Sequence, residues 1–242
     1  MRLLIVRHGD PDYEHDTLTP AGHREAALAA EYLSGEQIDA FYLSPLGRAQ
    51  DTARYTLDAM HRTGETLPWL CEFYAKIQHP DTGDFRIPWD WLPAFWTAEP
   101  RYYDKDLWHQ TDVMREYRVG EAAVLVYEGL DAVLAAHGYV RDGMVYRAEQ
   151  PNTKTLAFFC HFGVECVMLG HLLGISPMQL WHGFCAAPTS ITTVYTEERR
   201  QGIASFRVSR FGDTSHLYAA GVQPSFSGRF CERYDNADER HD

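Results

Sequence analysis

Long apolar runs, paired cysteines and an excess of positive charge are all missing from this 242-residue chain. No run of about 18 uninterrupted apolar residues occurs, so the sequence predicts no membrane-spanning helix. The N-terminal "LLIV" is too short for the apolar region of a secretory signal, and we therefore expect a cytoplasmic location. The five cysteines are scattered and include no CxxC pair, which favours reduced thiols over a disulfide framework or a zinc site.

The charge balance narrows the range of partners. Acidic residues outnumber lysine and arginine by 34 to 22, which gives a formal net charge of −12. Such a chain is not expected to bind nucleic acid or an anionic membrane surface as its general partner. The length suits one α/β domain, with or without one insertion, better than two independent units. The sequence leaves the oligomeric state open, and a homo-oligomer is one alternative.

Apolar segments with the character of strands alternate along the chain with segments of helical spacing. Strands are predicted at 2–6, 38–44, 67–73 and 153–160, with a hairpin at 139–149 and a hairpin-linked pair at a sheet edge at 190–196 and 203–211. Helices are predicted at 18–35, 45–64, 112–138, 163–174 and 176–183. Thr19 and Ser176 are the expected N-caps, and Pro20 suits a first helical position. This order indicates a three-layer α/β fold.

Two of the predicted strands end on a histidine followed by a turn towards a helix. "LLIV" continues into "RHG", which contains His8, and "LAFFC" continues into "HFG", which contains His161. Ligands of open α/β sheets bind beyond the carboxyl ends of the strands, so both histidines are candidates for one crevice. The alternative is that each is a structural histidine with its hydrogen bonds satisfied. His171 and His182, on apolar helical stretches, are interpreted as core or rim residues.

Arg48 lies near the start of the second predicted helix, in "SPLGRAQDTA". A side chain in the first turn can reach back towards the strand ends, where the helix N-terminus also favours an anion. With Arg7 and the two histidines it would form a cationic cluster inside an acidic protein. Guanidinium groups bind phosphoryl oxygens through paired hydrogen bonds, so a phosphoryl group is the expected ligand. The alternative is that Arg48 pairs with Asp51 or another nearby acid on a solvated helix face.

Four ordered blocks resemble the signature of the histidine phosphatase superfamily, which includes cofactor-dependent phosphoglycerate mutases and many phosphatases. The blocks are "LLIVRHG", "LSPLGRAQDTA", the glutamate of "WLCEF" and "FFCHFG", and the later "DTSHL" is also similar to the family's C-terminal pattern. The resemblance implies a three-layer α/β/α sandwich on a mostly parallel sheet. It also implies one domain over residues 1–242, with an insertion at about 76–112 that covers the active site.

The resemblance further implies the roles of five residues. His8 would be the nucleophile and would form a phosphohistidine, whereas Arg7, Arg48 and His161 would line the phosphate pocket. Glu72 would be the proton donor. Phosphoryl transfer depends mainly on positioning and charge, and arginines with a cationic histidine can supply both. We therefore expect neither a metal ion nor a cofactor.

The proposed proton donor, Glu72, follows an apolar stretch, and partial burial there would raise its pKa. The alternative is a surface glutamate that closes a strand. Asp10 and Glu165 are fallback acids that rank below Glu72, because each lies close in sequence to one of the two histidines. The expected partner is a phosphorylated small molecule.

Departures from the mutase pattern favour hydrolysis over phosphoryl exchange. Mutases typically carry an asparagine five residues after the histidine and glycine pair, where this chain has Glu14 and His15. The stretch "CEFYAKI" also lacks the mutases' basic and aromatic pattern. We therefore predict a metal-independent phosphatase acting on a phosphomonoester. A phosphoglycerate mutase-like phosphotransferase is the alternative, and a non-catalytic phospho-ligand binding module is the second.

The segment 79–110 is rich in both tryptophan and proline, with four of each. The prolines exclude a long regular helix, and the aromatic residues predict a lid that binds the non-phosphate part of the substrate. The alternative is an aromatic subcore or a dimer contact. Acids outnumber bases in this segment, which predicts poor binding of polyanionic substrates; the acids are Asp81, Asp84, Asp90, Glu99, Asp104 and Asp106.

Overall fold

A computed structural model describes residues 1–241, which form twelve strands and eight α-helices. The strands are β1 Arg2–Arg7, β2 Pro11–Asp12, β3 Thr17–Leu18, β4 Ala40–Leu43, β5 Glu65–Thr66, β6 Ile77–Gln78, β7 Phe85–Arg86, β8 Tyr139–Asp142, β9 Val145–Ala148, β10 Thr155–Cys160, β11 Ile191–Arg200 and β12 Ile203–Asp213. The helices are α1 Pro20–Ser34, α2 Gly47–Met60, α3 Pro93–Trp96, α4 Asp112–Glu116, α5 Val119–Ala136, α6 Phe162–Leu173, α7 Pro177–Gly183 and α8 Ser215–Ala219.

Eight strands form one mixed sheet in the spatial order β5-β4-β10-β1-β11-β12-β9-β8. The first four of these are parallel to one another, whereas the remaining pairings are antiparallel. β1 and β10 lie side by side in register, with Arg7 opposite Cys160, so their carboxyl ends meet at the same edge. The predicted α/β sandwich is confirmed, and parallel pairing is confined to the half of the sheet that carries the two histidines.

Alternate residues of β1 enter two separate cores. Leu3 and Ile5 pack with residues of α5 and α6 on one face of the sheet. Leu4 and Val6 pack with residues of α1 and α2 on the other face. Because side chains alternate along a strand and both faces are covered, the strand is continuously apolar, as parallel strands in α/β proteins are. This burial makes the end of β1 a rigid support.

The helix N-caps predicted from sequence are confirmed. The Thr19 side chain accepts a hydrogen bond from the Gly22 N–H at 3.0 Å, and Pro20 is the first residue of α1. The Ser176 hydroxyl accepts from the Met178 N–H at 3.3 Å at the start of α7. Each cap satisfies one of the N–H groups that a helix start leaves without a partner.

Three predicted elements differ from the structure. The strand at 67–73 is wrong: a 3₁₀ turn spans Pro68–Leu70, since proline has no N–H to donate to a sheet. The helix at 112–138 is two helices, separated where Arg118 has a φ of 55°. The strands at 190–196 and 203–211, predicted at a sheet edge, form the hairpin of β11 and β12 but lie inside the sheet between β1 and β9. The confirmed hairpin of β8 and β9 extends the sheet beyond β12.

The segment 79–110 contains only short elements, as its prolines predict. These are β7, α3 and 3₁₀ turns at Pro100–Tyr103 and Trp108–Gln110. Within the segment, β7 pairs with β6, which lies just before it. Three of its tryptophans are buried in the larger core: Trp89, Trp91 and Trp108. No helix within residues 1–241 has the length and apolar character needed to cross a lipid bilayer.

Candidate active site

The two histidines that follow β1 and β10 lie together. The ring centroids of His8 and His161 are 5.1 Å apart, and the two side chains are 2% and 0% exposed. This proximity follows from the pairing of β1 with β10, which places both strand ends at one edge of the sheet. The structure therefore brings the two predicted residues into one site.

The His8 ring is oriented by its own turn. Its Nδ1 lies 2.7 Å from the Gly9 carbonyl oxygen, and a carbonyl can only accept a hydrogen bond, so Nδ1 carries the proton. Burial, and then the neighbouring Arg7, hold the pKa of His8 well below its usual value. The ring is therefore neutral, and its Nε2 keeps a free lone pair. A neutral imidazole nitrogen is the form that can attack phosphorus.

His161 lies at the start of α6. Its Nε2 is 2.7 Å from the Ser44 hydroxyl, and its Nδ1 is buried without a hydrogen-bond partner among residues 1–241. Burial lowers the pKa of His161 well below its usual value, and the adjacent His8, Arg48 and Arg7 lower it further. The sequence-based expectation of a cationic histidine therefore differs from the structure, in which the arginines carry the positive charge of the site.

The loop before β11 supports both residues of the "RH" pair. One guanidinium Nη of Arg7 donates to the Ala186 carbonyl, and the Arg7 backbone N–H donates to the Ser190 carbonyl at 3.1 Å. The Thr189 N–H donates to the His8 carbonyl, also at 3.1 Å. Arg7 keeps a buried Nε without a partner within residues 1–241, which is unusual for a polar atom and leaves this donor available to an anion.

Arg48 lies in the first turn of α2, which begins at Gly47 rather than at the predicted residue 45. Its Nη1 is 2.6 Å from Oδ1 of Asp16, and its Nε is buried without a partner in the part of the chain that the structure describes. The alternative pairing with Asp51 is wrong, because Asp51 pairs with Arg54 at 3.3 Å. The long side chain of Arg48 thus faces the strand ends instead of solvent.

Asp16 is a site residue that the sequence did not indicate. Its Oδ2 accepts the Gly47 N–H at 2.7 Å, so one carboxylate both caps α2 and pairs with Arg48. A Cβ at position 47 would lie 2.1 Å from the Asp16 carbonyl oxygen, so this contact requires glycine. The only sequence signal was an acid in the loop after "RHG", which has no fixed spacing to the helix.

Glu72 is held against the start of α6, close to His161. Its Oε1 accepts the N–H groups of Phe73 at 2.8 Å and Val164 at 3.1 Å. Burial raises the pKa of Glu72, although these hydrogen bonds and the charges of Arg7 and Arg48 oppose that shift. The carboxyl is therefore more easily kept protonated than an ordinary glutamate, as a proton donor requires.

The two fallback acids have different surroundings. Asp10 accepts hydrogen bonds from the Thr19 hydroxyl at 2.8 Å and the Ser225 hydroxyl at 3.3 Å, so it fixes the start of α1. Glu165 is almost fully buried, and burial raises its pKa to about 7. Glu72 is the one of these three acids that lines the cavity beside Arg7 and Arg48.

A cavity of about 1070 Å³ opens from this edge of the sheet. Arg7, Arg48 and Glu72 form one end of it, and the remainder has a predominantly aromatic wall. This wall draws on the segment 79–110 and on α7; its aromatic members are Tyr13, Trp89, Trp91, Trp96, Phe162, Trp181, Phe184 and Phe230. Trp89 and Trp91 thus belong both to the wall and to the core, and Trp96 stacks on His182 at 4.8 Å.

The C-terminal segment 222–241 also returns to the cavity. Its residues there are Ser227, Gly228, Arg229, Phe230, Arg240 and His241. The Cys185 thiol contacts the Gly228 carbonyl at 3.5 Å, and Arg240 pairs with Asp90 of the segment 79–110. The sequence did not predict this placement, because the segment has no helical or strand periodicity from which to place it.

The charge on the cavity wall differs from the sequence-based expectation. Of the six acids of the segment 79–110, Asp90 alone lines the cavity, and it is paired with Arg240. Among the described residues, five arginines line the cavity against two acids, Asp90 and Glu72. The expectation of poor binding to polyanions rested on six acids, of which five do not line the cavity, so the cavity wall does not support it.

Comparison with solved structures agrees with the fold. A phosphoserine phosphatase from Entamoeba histolytica, in complex with phosphoserine, aligns at 21% identity and a TM-score of 0.58, over 89% of this chain and 98% of that one. A mycobacterial glucosyl-3-phosphoglycerate phosphatase complexed with VO3 aligns at 19% identity and a TM-score of 0.57, over 88% of this chain and 99% of that one. At these identities the likeness is one of fold.

A shorter similarity links the chain to a curated enzyme. The 2,3-bisphosphoglycerate-dependent phosphoglycerate mutase of Thermoplasma acidophilum is 34% identical over an alignment of 79 residues that covers 28% of this chain and 40% of that relative. The match thus spans less than half of the relative. The model of the histidine phosphatase superfamily (branch 1), in contrast, matches residues 3–209, and the chain therefore belongs to that superfamily.

Proposed function

We propose that the protein is a phosphatase that hydrolyses a phosphomonoester through a phosphohistidine at His8. The observation that carries this proposal is the position of His8, whose neutral ring lies 5.1 Å from His161 at an edge that also holds Arg7, Arg48 and Glu72. An anion bound there meets two guanidinium groups and the imidazole of His161. This arrangement suits a phosphoryl group, whose transfer requires positioning and charge stabilisation.

In the first step, Nε2 of His8 attacks phosphorus. A P–N bond forms, the P–O bond to the alcohol breaks, and Glu72 gives its proton to the departing oxygen. Arg7, Arg48 and His161 hold the non-bridging oxygens during the transfer. The raised pKa of Glu72 favours the protonated form that this step uses.

In the second step, a water molecule attacks the phosphohistidine. Glu72, now a carboxylate, accepts a proton from the water as the P–O bond forms and the P–N bond breaks. The products are the alcohol and inorganic phosphate, and both His8 and Glu72 return to their starting forms. One carboxyl therefore acts as acid and then as base.

The charge on the phosphoryl oxygens is balanced in this proposal by Arg7 and Arg48. Two guanidinium groups can each form paired hydrogen bonds to those oxygens, so the reaction needs no metal ion. We therefore propose that EDTA leaves the activity unchanged.

Phosphate release from a panel of monoesters, measured with EDTA present, tests the proposal. His8→Ala should reduce the rate by about a thousandfold or more, because the nucleophile is lost. His15→Ala is the matched control, since His15 is an exposed histidine in the loop that follows. Activity that survives in His8→Ala, or that EDTA abolishes, contradicts the proposal.

The same assay separates the two alternatives. A mutase-like phosphotransferase would depend on a bisphosphate primer and would release little phosphate. A binding module would bind inorganic phosphate and turn over no monoester.

A further inference from the structure

Arg229 lies at the edge of the proposed phosphate site. It lines the same cavity as Arg7, and it follows Gly228, where a Cβ would lie only 3.0 Å from a guanidinium nitrogen of Arg7. The charges of Arg7 and Arg229 both act to lower the pKa of the Cys185 thiol between them, although burial raises that pKa overall. Arg7 and Arg229 thus line one cavity, and the residue before Arg229 lies against the Arg7 guanidinium.

Arg229 differs from the other arginines of its segment in having no acidic partner. Arg233 pairs with Asp235 at 3.5 Å, and Arg240 pairs with Asp90. Within residues 1–241, no carboxylate lies within 4.0 Å of the Arg229 guanidinium, which instead stacks on the Phe226 ring at 4.1 Å. Stacking restricts the side chain but leaves its N–H groups available, so Arg229 can bind an anion in the cavity.

The size of the cavity indicates that the bound molecule extends beyond the phosphoryl group. Ligand cavities of about 300 to 1000 Å³ hold drug-sized molecules, and this one is slightly larger than that range. Its wall offers aromatic faces to the body of the ligand, such as Trp96 and Phe230. A bare phosphorylated alcohol of two or three carbons would leave most of this wall without contact.

From these features we infer that the cavity carries a second anion subsite at Arg229, which binds a carboxylate on the non-phosphoryl part of the substrate. The substrate class is then an organic phosphomonoester with an apolar or aromatic body and a second negative charge. This inference rests on the proposed function, since it places the subsite next to the phosphate that His8 attacks. It also accounts for the excess of arginine on the cavity wall.

The expected effect on selectivity is moderate, because Arg229 is exposed. A carboxylate paired with an exposed guanidinium gains about 1 kcal/mol or less, and salt screens the interaction. A charged substrate should therefore be preferred by about two- to fivefold over its neutral counterpart at low ionic strength. The preference should decline as salt is added.

The test compares phenyl phosphate with its 2-, 3- and 4-carboxyphenyl counterparts. The quantity measured is the ratio of kcat/KM for each carboxylated ester to that for phenyl phosphate, at low salt. We expect at least one isomer to give a ratio above one in the unaltered chain. Arg229→Gln should bring this ratio towards one, and Arg233→Gln, in the same segment but away from the cavity, should retain it.

Three outcomes would overturn the inference. If no isomer is preferred, the subsite does not exist. If Arg229→Gln lowers kcat/KM equally for all the esters, then Arg229 binds the transferred phosphoryl group instead of a second anion. If Arg233→Gln changes the ratio as much as Arg229→Gln does, the effect is one of general charge. Failure to hydrolyse any of the esters, including phenyl phosphate, would instead count against the proposed function.

Discussion

The two ends of the cavity are built in contrasting ways. At the phosphate end, His8, His161 and Arg7 follow or end buried parallel strands, and all three are at most 7% exposed. At the far end, the segments 79–110 and 222–241 consist of short elements and irregular chain, joined by contacts such as the pair of Asp90 with Arg240. The comparison teaches that the proposed nucleophile and its neighbours His161 and Arg7 are fixed by the rigid sheet, whereas the proposed contacts to the rest of the substrate lie on loops that can vary.

Among the changes that keep His8, the largest effect is expected from Glu72→Gln, which removes the proposed proton donor. The kcat for an alkyl phosphate should fall by about 10² to 10⁴, because the departing alkoxide is no longer protonated. 4-Nitrophenyl phosphate should be affected much less, since its leaving group needs little protonation. Steady-state kinetics with both esters measure this difference. Equal losses on the two esters would show that Glu72 does not act as the acid.

The pH profile of the unaltered protein also tests the proposed roles of His8 and Glu72. Histidine and glutamic acid ordinarily have pKa values of 6.5 and 4.5, so a neutral histidine and a protonated glutamate would rarely coexist. Here burial lowers the pKa of His8 and raises that of Glu72. We expect kcat/KM to fall below the lowered pKa, where His8 protonates, and above the raised pKa, where Glu72 ionises. Glu72→Gln should abolish the alkaline fall and keep the acid one.

A smaller effect is expected from Gly163→Ala, which moves Glu72 without removing it. The added Cβ would lie 2.6 Å from Glu72 Oε1 and 2.3 Å from the Trp89 ring, and both distances are too short to be kept. A displaced carboxyl should lower kcat by about 10- to 100-fold, with overpacking costing about 1–3 kcal/mol of stability.

Kinetics and thermal unfolding, compared with Gly35→Ala at the end of α1, check this prediction. Gly35 has a φ of −78° and no close contact with the site, so its substitution controls for the loss of a glycine. An unchanged kcat in Gly163→Ala would mean that the position of Glu72 against α6 is not important for the reaction.

The smallest of these three kinetic effects is expected at the far end of the cavity, from Trp96→Ala. This half-buried ring lines the cavity and stacks on His182, whereas Trp91 is 5% exposed and its truncation would cost about 3–5 kcal/mol of stability. The KM for aryl phosphates should rise by about two- to tenfold, with little change for a small ester such as phosphoserine. If the ratio of KM for large esters to KM for small esters is the same in Trp96→Ala as in the unaltered protein, Trp96 contributes to packing alone.

The sequence predicted the parts of the fold that depend on local patterns. β1 and β10 are apolar because both faces of each are covered, and the residues that follow them, His8 and His161, meet because those strands pair. Thr19 and Ser176 were found from the chemistry of helix starts. For these residues, the local chain and its neighbours in sequence carry the information.

Other parts depend on contacts between distant residues and have no local signal. Glu72 was predicted at the end of a strand, but it follows a 3₁₀ turn and is positioned by the backbone of α6. Asp16 binds the start of α2 from a loop, and Arg229 reaches the cavity from a segment without periodicity. Only the folded chain brings these groups to the site.

The return of the C-terminal segment to the cavity has a consequence for the order in which the site is assembled during translation. When residue 161 has been synthesised, both imidazoles are present, but the loop that supports Arg7 and His8 through Ala186, Thr189 and Ser190 has not yet been made. The wall that Arg229 and Phe230 provide is still missing at that stage. In the nascent chain, the two histidines of the proposed reaction therefore precede the part of the wall to which we assign the choice among phosphate esters.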